Sequence, residues 1–176
     1  MNFISKVLLV ASMLLNNSIA SAAFVINNSN GGNGFVIDSF PDFILVGSNN
    51  NVSENFVTYS DIFLADTQLS FDWLYTTNDV SGSVFDQAGY FLNDKFTLLS
   101  PFDLPKTGTA IGSVSISILT GEVFGWYVNS TDGFLGTGTL QVTSPSAVPV
   151  PSALPLMFSV LGIFGLARLR KKSNVA

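Results

Sequence analysis

Neither cysteine nor histidine occurs anywhere in these 176 residues. Their absence removes disulfide frameworks, Cys/His zinc centres, thiol nucleophiles and every catalytic triad that uses histidine as its base. Charge is scarce as well, at 11%, and unevenly placed. Five of the seven basic residues (Lys6, Arg168, Arg170, Lys171, Lys172) lie at the two ends, and all twelve acidic residues lie between them. From Ala23 to Pro151 only Lys95 and Lys106 oppose the twelve carboxylates, a net charge of −10. Such a segment repels a phosphate backbone, so nucleic acid is excluded as a partner. What is abundant is apolar: 47% of the chain is hydrophobic and 16 residues are Phe, which suits one folded domain of short aromatic-rich strands.

The first 22 residues have their own grammar. A short polar start with Lys6 leads into the apolar run Val7 to Leu15, then Asn16-Asn17-Ser18, then Ile19-Ala20-Ser21-Ala22-Ala23. A positive start, an apolar middle and an A-x-A ending make a secretory signal peptide, recognised by signal peptidase. Ala20 and Ala22 supply the small side chains that the peptidase pockets accept, so the cut falls after Ala22 and the mature chain begins at Ala23. The run is too short to span a bilayer stably.

The last thirty residues, from Ala147, carry a second signal. Ala153 to Ala167 form an apolar stretch with Ser159 as its only polar side chain, closed by Arg168, Arg170, Lys171 and Lys172. Its fifteen residues are marginal for a hydrocarbon core of roughly 30 Å, and counting from Ala147 brings the length to 21. The terminal cations hold that end in the cytoplasm, which puts the domain on the far side of the inner membrane. Pro149, Pro151 and Pro155 keep the preceding chain extended, the form a protease cleft accepts. On the residues alone, a simple tail anchor and a processed sorting signal are equally served.

Val148-Pro149-Val150-Pro151-Ser152, continuing through Pro155 into the Gly-bearing apolar helix and the basic cluster 168–172, resembles the PEP-CTERM sorting signal in its VPxP form. Val150 stands where the usual motif has Glu. The resemblance implies recognition by a membrane-embedded exosortase, transient anchoring in the inner membrane, and release or transfer to the cell envelope or extracellular matrix.

Residues 23–146 read as strands between turns. Asn27 to Gly34 and Gly47 to Asn51 are Asn/Gly loops, where positive φ is cheap. Leu69, Phe71, Trp73 and Tyr75 alternate with Ser70, Asp72, Leu74 and Thr76, and Val114, Ile116 and Ile118 alternate with Ser113, Ser115 and Ser117. Further strands are expected at Asn55 to Leu64, Val84 to Phe85, Gly89 to Leu92, Lys95 to Leu99, Glu122 to Val128 and Gly138 to Thr143. About eight short antiparallel strands with no helical period predict an all-β fold, a jelly-roll-like β-sandwich. Phe71 to Asp79, Phe85 to Asn93 and Gly121 to Asp132 are together similar to a β-domain that recurs in exported PEP-CTERM proteins.

Three chemistries compete for the polar residues of that domain. Asp72, Asp79 and Asp86 recur every seven residues as a formal acid/base set, but Asp between strands is first a turn former. Asp79, Asp86 and Asp132 sit at loop positions with hard oxygen donors suited to a weak calcium site, although no D-x-D-x-D-G ladder is present. Trp73 and Trp126 fall in phase with apolar neighbours and belong to the core, whereas Tyr127 points outward and is the ring to test for stacking on sugar. Asn51-Val52-Ser53 and Asn129-Ser130-Thr131 match the glycosylation sequon within Asn/Ser-rich loops.

The resulting expectation is a non-enzymatic surface or matrix protein with no obligatory cofactor, associated with exopolysaccharide. Its alternative is an adhesin or glycan-binding sandwich module, with calcium as an optional ligand.

Overall fold

The computed structural model describes residues 24–39, 41–50 and 53–149. The expected signal peptide with its cleavage site at Ala20, Ala22 and Ala23, the apolar tail segment and the basic cluster lie outside the described residues. Ten strands follow one another: β1 Val25–Asn28, β2 Phe35–Ser39, β3 Asp42–Val46, β4 Asn55–Ile62, β5 Thr67–Thr77, β6 Asp86–Leu92, β7 Lys95–Leu98, β8 Thr109–Ile118, β9 Val123–Ser130 and β10 Gly138–Pro149. Among the described residues no helix is long and apolar enough to cross a membrane.

The strands form two five-stranded antiparallel sheets, β1-β4-β9-β6-β7 and β2-β3-β10-β5-β8, here called the first and second sheet. Setting aside β1 and β2, the other eight strands fall in the orders first-eighth-third-sixth and second-seventh-fourth-fifth, the two interleaved Greek keys of a jelly roll. The expected sandwich is therefore what the chain adopts. β1 and β2 each extend one sheet by an edge strand.

Period-two alternation places the core. In β5, Leu69, Phe71 and Tyr75 are buried, and their β8 partners Ile116, Val114 and Ala110 face inward with them. Opposite, β9 contributes Phe124, Trp126 and Val128. Trp126 is the centre: its ring lies 4.8 Å from Phe43, 4.9 Å from Phe124, 5.1 Å from Phe24 and 5.4 Å from Phe71. Trp73 also faces inward, half-buried, over Gly112, where any Cβ would stand 2.7 Å from the indole ring.

Three details depart from the sequence reading. Val84 and Phe85 are not a strand; a 3-10 turn at Gly82–Val84 leads into β6. β2 and β3 form a hairpin that no alternation announced, because Ile37 and Ile44, paired across it, are apolar on the outward face too. β10 continues through Val148 and Pro149, the first two residues of the stretch that resembles a sorting motif. Between Thr143 and Ser146 its register with β5 shifts, at Pro145, which has no N–H to give the ladder.

The register also sets two poles. The connections after β1, β3, β5, β7 and β9 lie at one end, which we call the loop pole. The first described residues at β1, paired to Ser60, and the last at Pro149, paired to Thr67, lie at the other end, the tail pole.

Candidate functional site

The loop pole is knitted together by short polar side chains. Asn33 Oδ1 accepts from the Asn49 amide at 2.9 Å and from the Ser48 hydroxyl at 3.2 Å, and Asn50 Nδ2 donates to the Gly31 carbonyl at 3.1 Å. These bonds tie the β1–β2 connection to the β3–β4 connection. Buried Ser83 holds the next pair of loops: its hydroxyl donates to the Pro101 carbonyl at 2.5 Å and accepts from the Leu104 amide at 2.9 Å. The Val80 amide donates to the Leu135 carbonyl at 3.3 Å, and the Thr131 amide to the Phe85 carbonyl at 2.7 Å. The Gly136 amide donates to Asn49 Oδ1 at 3.3 Å, so five connections that are distant in sequence form one surface.

Beneath that surface lies a buried polar floor. Asn55, Ser130 and Asp86 stand in register across β4, β9 and β6, all fully buried. Tyr75, Thr77 and Gly138 occupy the corresponding end of the second sheet. The Tyr75 hydroxyl donates to the Asp86 backbone carbonyl, which joins the sheets. Asp79, also fully buried, accepts from the Ser81 amide through Oδ1 at 2.5 Å, while its Oδ2 has no hydrogen-bond partner among the described residues. Neither carboxylate oxygen of Asp86 has one either, nor does the Ser130 hydroxyl.

Burial pushes the Asp86 carboxyl up to about 7, and the negative charges of Asp79 and Asp132 add to the rise. The Ser130 hydroxyl and the Gly138 amide favour its charged form, yet neither reaches it in bonding geometry. Burial likewise raises Tyr75, with Asp86 and Asp79 contributing. Gly138 leaves room at this point, since a Cβ there would lie 3.1 Å from both Asp86 Cβ and the Tyr75 hydroxyl.

Above the floor is an apolar rim. Phe85, Phe102, Phe134, Val80 and Leu135 are all exposed, Phe102 by 58% and Phe134 by 54%. Sequence reasoning placed Phe85 in a strand, and it missed Phe102 and Phe134 because they lie in turns. Phe102 follows Pro101, and Phe134 follows Gly133 in a turn where the Phe134 amide donates to Asp132 Oδ1 at 3.1 Å. The available signal was an aromatic residue with no alternating partner inside a Gly/Pro/Asp cluster.

The structure sorts the residues singled out from sequence. Asp79 and Asp86 reach one pole and are buried; Asp132 lies in the β9–β10 loop and caps its own turn. Among the described residues, no three acidic side chains converge as a metal-ligand set. Asp72 is elsewhere, exposed on the outer face of the second sheet, where it accepts from the Ser113 hydroxyl at 2.5 Å. It borders a shallow depression lined also by Ser70, Ser113 and Ser115. The seven-residue series therefore does not assemble an acid/base set. Tyr127 does lie on the outward face, but Phe96 covers it at 5.1 Å and it is buried, so it is no sugar platform. Asn129 is buried too, donating to Glu54 Oε1 at 3.0 Å, which withdraws its sequon from the surface; Asn51 lies outside the described residues.

No protein-family model and no curated protein matches the chain. Solved structures that resemble it include a family 35 carbohydrate binding module from Clostridium thermocellum, 10% identical at a TM-score of 0.38, covering 71% of this chain and 99% of that one. Another is the CBM35 from Cellvibrio japonicus Abf62, 14% identical at a TM-score of 0.38, covering 76% and 96%. A third is a family 35 carbohydrate binding module from an environmental isolate, 21% identical at a TM-score of 0.35, covering 75% and 90%. At these scores no residue role is taken from them.

Proposed function

We propose that this chain is an exported, non-enzymatic surface protein that binds a neutral extracellular glycan at its loop pole. The carrying observation is the exposed rim of Phe85, Phe102 and Phe134 on loops fixed at the pole opposite Pro149. Rings held at fixed positions stack on the apolar faces of sugars and lose little conformational entropy in doing so. With twelve carboxylates against two lysines from Ala23 to Pro151, the domain disfavours acidic polysaccharides.

The ends fit the same reading. A signal peptide delivers the chain across the inner membrane, and the tail holds it there until an exosortase acts near Val148, Pro149, Val150, Pro151 and Ser152. Because the tail leaves from the pole opposite the rim, the rim points away from the membrane during anchoring and remains free after transfer to the envelope or matrix. The test is affinity electrophoresis of the domain in gels containing neutral or acidic polysaccharide. Retardation by a neutral glycan that is lost in a Phe85→Ala, Phe102→Ala, Phe134→Ala triple variant supports the reading. Unchanged migration in a broad panel returns the protein to a purely structural matrix role.

A further inference from the structure

The floor beneath the rim is chemically incomplete. Asp86 and Ser130 are neighbours in the β6–β9 register and are fully buried, yet among the described residues both Asp86 carboxylate oxygens and the Ser130 hydroxyl lack a hydrogen-bond partner. Asp79 Oδ2 is in the same condition at the same pole. Among the described residues no side-chain cation relieves them, because Lys95 and Lys106 are both exposed. Buried carboxylates are ordinarily paired, hydrogen-bonded or ligated, and the first two of these are missing for Asp86.

We propose that Asp86, Asp79 and Ser130 form a calcium site beneath the loops, joining the ends of β5, β6 and β9. All the donors are hard oxygens, and the sequence holds neither histidine nor cysteine. Two carboxylates balance a divalent cation, and water or backbone carbonyls complete the six to eight ligands that calcium takes in flexible geometry. Magnesium, which demands a small regular octahedron, fits two carboxylates at different loop ends less well. Gly138 contributes by omission, since a Cβ at that position would crowd Asp86 Cβ at 3.1 Å. Asp132 stands outside the set because it is only half-buried, in the β9–β10 loop, whereas Asp79 and Asp86 are fully buried. The site is independent of what the rim binds.

The test uses the full chain in detergent, stripped with EDTA and dialysed. Thermal unfolding is followed with no metal, with about 10 mM calcium and with about 10 mM magnesium. For a site of the affinity usual in extracellular modules, calcium raises Tm by roughly 4–10 °C and magnesium by clearly less. Asp86→Asn abolishes the calcium rise, Ser130→Ala weakens it, and Asp132→Asn retains it. Titration calorimetry gives one calcium per chain. The absence of a calcium rise in the wild type overturns the proposal, and so does an equal rise in Asp86→Asn. If Asp86→Asn does not fold, the Ser130→Ala titration decides, and unchanged calcium affinity there removes the site.

Discussion

The Tyr75 hydroxyl donates to the backbone carbonyl of Asp86, so a side chain of β5 in one sheet bonds the first residue of β6 in the other. Tyr75 is fully buried, and this bond closes the loop pole between the sheets. Tyr75→Phe keeps the ring and leaves a buried carbonyl short of a partner, which costs about 1–3 kcal/mol. Chemical denaturation at unchanged slope measures it, and a variant as stable as wild type shows that the bond contributes nothing.

Asp86 gives the fold a pH signature. Its folded-state pKa of about 7 lies above the ordinary carboxyl value of 3.8, so the folded chain keeps a proton that the unfolded chain has released. The associated stability is fully present in acid, declines as pH rises from about 4 towards 7, and levels off above. In EDTA the wild type therefore melts lower at about pH 8 than at about pH 5. Asp86→Asn, which cannot ionise, loses this part of the pH dependence and is relatively stabilised at the higher pH.

The rim and the core respond oppositely to truncation. Phe102→Ala and Phe134→Ala remove exposed rings, so their unfolding free energies stay within about 0.5 kcal/mol of wild type while glycan retention falls. A stability loss as large as the binding loss identifies the rings as structural.

Trp126→Ala removes the ring against which Phe24, Phe43, Phe71 and Phe124 pack. The cavity costs about 3–5 kcal/mol, a large share of what a domain of this size has to lose. Trp126→Phe costs distinctly less, because it also removes an indole N–H that is buried without an acceptor. Equilibrium unfolding of both variants checks the order.

On the proposed sorting reading, neutralising Arg168, Arg170, Lys171 and Lys172 removes the cytoplasmic hold, and the chain is secreted uncut. Pro149→Ala with Pro151→Ala leaves the apolar stretch intact, so a precursor beginning at Ala23 collects in the membrane. Fractionation with immunoblotting separates the two outcomes, and wild-type maturation of both variants eliminates the sorting reading.

Where one strand face meets core and the other meets water, the sequence was readable. Leu69 to Thr76 and Ser113 to Ile118 alternate cleanly, and they pair as β5 and β8. Where both faces are apolar the period disappears, which is why Phe43-Ile44-Leu45-Val46 gave no strand signal although it is β3. Of the site, the carboxylates were legible by chemistry and misgrouped by spacing. A seven-residue step leaves Asp72 on the outer face of β5 and carries Asp79 past the end of that strand. The floor's other members, Ser130 and Tyr75, are brought to Asp86 by register across β9 and by the meeting of two sheets, neither of which is encoded in local pattern.

The placement of the two poles decides how the domain carries load. When the tail is tethered and a ligand is held at the rim, tension runs along the strand direction. It enters through Pro149 at the end of β10, which is bonded on one side to β3 and on the other to β5. Extracting β10 therefore means sliding it past both neighbours, with the hydrogen bonds of each ladder sharing the stress and failing together. A strand peeled from a sheet edge would release its bonds one at a time and yield at far lower force.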